Sequence, residues 1–223
     1  MKPTTLIAII VVLAIPLIAL LMYKGSSDST DNYGSTGSSS TSTPTPAVSP
    51  GATPSDAVSA HQVILKTDKG AITIDLYPDQ TPMTVMNFAT LGKRGYYNGI
   101  IFHRVIKDFV VQGGDPTGSG TGGTSIYGAK FKDENNTAHQ YQKGSVGMAN
   151  AGPGTNGSQF YIVTNDVTAG GLSALTPDKY TLFGQVADDK SMAVVTALAS
   201  VPVDGNDKPT TPIKITGFEI SKP

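Results

Sequence analysis

The chain has 223 residues, 16 Lys and Arg against 17 Asp and Glu, and no cysteine. That length suits one ordinary domain with extensions, and a formal net charge of -1 leaves no footprint for a polyanion, so nucleic acid is not an expected partner. Without cysteine there is no disulfide, thiolate nucleophile or thiolate metal site, and the compartment must be read from other features.

Residues 6–23 form an uncharged apolar run behind Met1 and Lys2. As a helix this run spans roughly 27 Å against a bilayer core of about 30 Å, and no polar face interrupts it. Residues 1–24 are therefore expected to be a membrane anchor. A cleaved signal peptide is the alternative, but signal peptides have apolar regions of about 7–15 residues, and no good small-x-small cleavage site follows Leu21. Lys2 and the amino terminus, set against Lys24, predict the amino terminus inside and the following domain outside the cytoplasm, or secreted if the segment is cleaved. Residues 25–60 turn to Ser, Thr, Gly and Pro. Such a stretch buries too little apolar surface to offset its ordering entropy, so it reads as a disordered linker.

The folded domain is assigned to residues 61–223. It opens with a hairpin: an apolar strand from Val63, a turn at Thr67-Asp68-Lys69-Gly70, and the alternating Ile72, Ile74 and Leu76. Thr81-Pro82 marks a helix start, with an N-cap hydroxyl and proline at the first helical position, Val85, Phe88, Ala89 and Leu91 on one face and Gly92 at the end. Two apolar runs, 100–105 and 109–111, then flank Lys107-Asp108 as a second hairpin. Further strands are read at 144–149, 159–164, 180–186 and 213–220, with a second helix at 190–199. Residues 118–123 formally match G-x-G-x-x-G, but no helix pattern follows, so the segment reads as a loop rather than a dinucleotide fingerprint. Periodicity alone leaves a sandwich and a barrel open.

Within the second hairpin, Arg104 places a five-donor guanidinium in an apolar strand, where its desolvation calls for compensating partners or a ligand. A hydrolase could be sought in His103, Ser158 and Asp115, but nothing in their spacing supports a triad. His103 neighbours Arg104 on the strand and so points to the opposite face, as a hydrogen-bonded core histidine. His61 and His139 offer no metal-ligand spacing, and neither a metal nor a cofactor is expected.

The run I-F-H-R-V-I-K-D-F-V-V-Q-G-G-D at 101–115 and the run G-M-A-N-A-G-P-G-T-N-G-S-Q-F-Y at 147–161 together resemble the cyclophilin family of peptidyl-prolyl cis-trans isomerases. The resemblance extends from about Gln62 to the C-terminus. It implies a mainly β fold, a closed eight-stranded antiparallel barrel capped by two helices, and an enzyme that turns X-Pro bonds in polypeptides and acts as a monomeric domain. By the same resemblance Arg104 and Gln112 are catalytic. Phe109, Val110, Tyr161 and a leucine, Leu172 or Leu175, would line the proline pocket. Ala149 and Asn150 would pair with the peptide backbone, Gln159 would support that wall, and Tyr180 falls where the family often has histidine.

The chemistry fits a cation. The barrier to amide rotation, about 18–20 kcal/mol, comes from delocalisation of the nitrogen lone pair. A guanidinium donating to the prolyl carbonyl and ring nitrogen favours the twisted amide over the planar one. Moving isomerisation from tens of seconds to milliseconds needs a factor of about 10⁴, or roughly 5–6 kcal/mol. The chain departs from the common family pattern in Val110 for methionine, in Tyr161 for phenylalanine, in a longer loop at 167–179, and in having no tryptophan, which implies weak cyclosporin binding. A proline-peptide binding module with little turnover would use the same groove and is the second functional class.

Overall fold

The computed structural model describes residues 60–165 and 175–222. Among these residues there are eight strands: β1 Gln62–Thr67, β2 Gly70–Leu76, β3 Arg104–Ile106, β4 Val110–Gly113, β5 Ser145–Met148, β6 Phe160–Val163, β7 Leu182–Val186 and β8 Ile215–Lys222. Two helices, α1 Pro82–Lys93 and α2 Asp189–Ala199, lie against β8 and β2 respectively. Both predicted hairpins form. Gly70 takes a φ of +134° at the first turn and Asp108 a φ of 60° at the second, positions suited to glycine and to a short polar side chain.

Among the described residues the seven strand pairs are antiparallel, in the order β3-β4-β6-β5-β7-β2-β1-β8. The closed barrel expected above is not formed: β3 and β8 are the two ends of an open half-barrel. Residues 99–102 touch residues 213–215 through backbone bonds and one isolated bridge, Ile101 to Lys214. The ladder does not continue along β3, where the Val105 N–H instead donates to Asp207 O at 2.7 Å. The facing segment carries Pro202, Pro209 and Pro212, which have no N–H to give to a ladder.

The expected transmembrane helix, and with it a domain held outside the cytoplasm, is likewise not upheld. No helix among the described residues is long and apolar enough to cross a membrane. The two helices have 12 and 11 residues, and even the longer spans only about 18 Å. Residues 6–23 and the linker at 25–60, apart from Ala60, lie outside the described residues.

Strand alternation divides the apolar side chains between two clusters. On one face Val111, Phe160, Ile162 and Phe183 join the main core, while their neighbours Val110, Tyr161, Val163 and Leu182 form a second cluster with Tyr141 and Leu175. Burial on both faces explains the unbroken apolar runs at 109–111 and 160–163. At the centre of the main core, fully buried Phe88 meets Tyr97, Phe160, Phe183 and Phe218 at centroid distances of 5.1–5.3 Å. Tilted and edge-on contacts of this kind add to the area they bury.

The start of α1 differs from the sequence reading. Thr81 precedes Pro82 as expected, but its hydroxyl donates backward to Tyr77 O at 3.0 Å and caps nothing. Glu134 supplies the cap, accepting the N–H groups of Met83 and Thr84 at 3.0 and 2.7 Å and the Thr84 hydroxyl at 2.7 Å. A carboxylate there satisfies orphan donors and complements the helix dipole.

Candidate active site

Arg104 and Gln112 stand opposite each other in the β3–β4 register, and Gln112 in turn faces Tyr161 on β6. Val105 enters the main core, so Arg104 lies on the other face of β3, half-buried rather than sunk in the strand. Its Nη1 donates to Gln112 Oε1 at 3.4 Å. No carboxylate among the described residues pairs with it, and Lys66 forms an ion pair with Glu219 elsewhere.

Behind Arg104 the amides are connected in series. Gln112 Nε2 donates to Gln159 Oε1 at 3.0 Å, and Gln159 Nε2 donates to the carbonyls of Gly120 and Gly122 at 3.0 and 2.8 Å. Those carbonyls are held in place by Asp115, which accepts N–H bonds from Thr117, Ser119, Gly120 and Gly122. Burial opposes the charge on Asp115, but the bonds donated by Thr117, Gly122 and Gly120 outweigh it and hold the carboxyl below its ordinary range. The glycine-rich segment is thus a carboxylate-centred loop that aligns Gln159 and, through it, Gln112. Sequence reasoning considered Asp115 only as a triad member. The signal for its role was an Asp followed by a run of Thr, Ser and Gly, whose N–H groups can fold back onto it.

Beside the guanidinium lies the second apolar cluster. Val110, Tyr161 and Leu175 are buried in it, and Phe109, Ala149 and Tyr180 pack on it while partly exposed, which gives a floor and a rim. Burial raises the Tyr180 phenol pKa and the Arg104 charge works against that rise. Leu172 lies outside the described residues. Ala149 N–H donates to Gln159 O at 3.0 Å. The Asn150 side chain is tied to Asp133, Lys179 O and the Gly152 N–H. Tyr141 was missed from sequence. It sits between polar residues, and only the fold brings its hydroxyl within 2.8 Å of Tyr161 Oη.

The triad is absent by geometry. Ser158 Oγ donates to Gly114 O at 2.6 Å, Asp115 faces its own loop, and both His103 ring nitrogens lack a hydrogen-bond partner among the described residues. His103 is buried as expected, but without the expected bond.

The family model for cyclophilin type peptidyl-prolyl cis-trans isomerase/CLD matches residues 62–220. The chain belongs to this family. The cyclophilin domain is a peptidyl-prolyl cis-trans isomerase, like the Neurospora crassa peptidyl-prolyl cis-trans isomerase-like 1, which is 48% identical over 160 residues covering 70% of this chain and 91% of that protein. A Danio rerio spliceosome-associated protein, the CWC27 homolog, is 46% identical over 160 residues, 71% of this chain and 33% of its own length. Family membership therefore brings no extracytoplasmic placement with it. A Cryptosporidium parvum cyclophilin solved in the presence of the dipeptide Ala-Pro superposes with a TM-score of 0.67 at 38% identity, covering 73% of this chain and 99% of that one.

Proposed function

We propose that this cyclophilin domain turns X-Pro bonds without a covalent step, with Arg104 polarising the prolyl amide while the proline ring rests on Phe109, Val110, Tyr161 and Leu175. The observation that carries this reading is a guanidinium with no carboxylate partner among the described residues, bonded to Gln112 and set beside the second apolar cluster. A free cation of fixed direction can favour the twisted amide over the planar one, the differential binding that catalysis requires.

Gln112 orients the guanidinium, and Gln159 holds Gln112. Because the Ala149 N–H and the Asn150 side chain are already bonded, pairing with a bound peptide falls to the Ala149 carbonyl and the Asn150 backbone. The relative solved with Ala-Pro supports proline-containing peptides as the ligand class. Replacing Arg104→Ala should lower kcat/KM for a short Xaa-Pro peptide by about tenfold or more. Binding of that peptide should fall less, because the apolar cup remains. An Arg104→Ala protein with undiminished turnover would remove the guanidinium from the mechanism.

A further inference from the structure

Tyr161 forms the floor of the proposed proline pocket, yet it carries a hydroxyl buried with the ring at 4% exposure. That hydroxyl donates to Tyr141 Oη at 2.8 Å, and Tyr141 Oη donates onward to the backbone carbonyl of Tyr180 at 3.3 Å. The floor and the rim are therefore joined by a buried two-phenol relay. Tyr161 and Tyr180 also meet edge-on, with centroids 6.1 Å apart and planes at 84°. Gly147, opposite Tyr161 in the β5–β6 register, makes room for the relay: a Cβ there would stand 2.4 Å from Tyr141 Oη and 2.6 Å from Tyr161 Oη.

We propose that Tyr141 is a positioning residue for the isomerase, holding the Tyr161 ring flat as the pocket floor and fixing the Tyr180 rim at the same time. This rests on the pocket assignment under Proposed function. Tyr141 does not touch substrate, and its effect runs through the two tyrosines it bridges. If its hydroxyl is removed, the Tyr161 O–H becomes a buried donor with no acceptor. The phenol can then reach water only by lifting toward the pocket mouth, into the volume the proline ring needs.

The test compares Tyr141→Phe, Tyr161→Phe and the double variant in peptide isomerisation, with thermal melts as a check on folding. Tyr141→Phe should raise KM by roughly three- to tenfold with kcat less affected, while Tyr161→Phe, which strands no donor, should change KM by less than about twofold. The double variant has no lifted phenol and should recover most of the loss in KM, and the remainder, up to about twofold, reports the lost Tyr141 bond to Tyr180 O. That recovery is expected even if Tyr141→Phe alone folds poorly, and a purely structural role would move the melting temperature but not KM. An unchanged KM in Tyr141→Phe, or a double variant that recovers nothing, overturns the proposal. If Arg104→Ala abolishes turnover while Tyr141→Phe moves nothing, the relay falls and the pocket assignment stands. If Arg104→Ala is fully active, the pocket assignment itself falls.

Discussion

Arg104 has a direction as well as a charge because the amides behind it face one way. Gln112 turns its carbonyl to the guanidinium only while its Nε2 is occupied by Gln159, which is itself pinned by the carbonyls of Gly120 and Gly122. Without Gln159, Gln112 is free to flip and present its NH₂ to the guanidinium donors, a pairing that cannot bond. Gln159→Leu should therefore lower kcat/KM by about fivefold, mostly through kcat, at a cost of about 1 kcal/mol in positioning. Steady-state kinetics check this, and full activity would show that Gln112 holds Arg104 unaided. The Arg104–Gln112 pair was named from the resemblance of the 101–115 run, and the three-residue loop from Lys107 to Phe109 sets the register that brings the two opposite each other. The Gln159 link to the glycine loop was not, since 37 and 39 residues separate its partners and no local pattern encodes so distant a bond.

At the scale of elements, hydrophobic pattern and turn chemistry located both hairpins and both helices, but not what holds their ends. Thr81-Pro82 reads correctly as the start of α1, yet the groups that satisfy its first N–H donors come from Glu134, about 50 positions away. Glu134→Ala should lower unfolding free energy by about 1–3 kcal/mol, because Met83 and Thr84 lose a charged acceptor. Glu134→Gln should lose less. Urea titration of both variants checks the order, and an Ala variant as stable as wild type would mean that water caps the helix equally well. Closure of the sheet was misjudged for a related reason. Eight apolar strands fit a barrel, but whether the end strands pair depends on the proline-bearing segment that meets β3, and strand count carries no information about that. Phe109, Val110, Tyr161, Leu175 and Tyr180, named from the resemblance, share the second cluster, while Tyr141 was passed over because a tyrosine in a polar loop gives no periodic signal.

For the whole molecule, acid should act in two stages, set by His103 just before β3 and by Asp115 just after β4. Burial is the largest influence on His103 and holds its pKa below the ordinary imidazole value; Asp115 opposes this, while Arg104 and Lys208 reinforce it. Between the unfolded imidazole value of about 6.5 and the lower folded value, the unfolded chain binds the proton and the native chain does not. Stability from His103 is thus present above about pH 6.5 and is lost as pH falls below it. Asp115 also has its folded pKa depressed, so its contribution is present above the ordinary carboxyl value of about 3.9 and disappears only at lower pH. A step driven by a guanidinium needs no group that titrates in this range, so turnover per native molecule should be flat from about pH 6 to 8. The melting temperature of the wild-type protein should decline from about pH 6.5 downward, then fall again below about pH 4. His103→Leu, of similar volume and with no ring nitrogen to protonate, should remove the first decline and leave the second. Thermal melts from pH 8 to 3 decide the matter: a wild-type melting temperature unchanged between pH 7 and 5 would mean that His103 takes up its proton inside the fold.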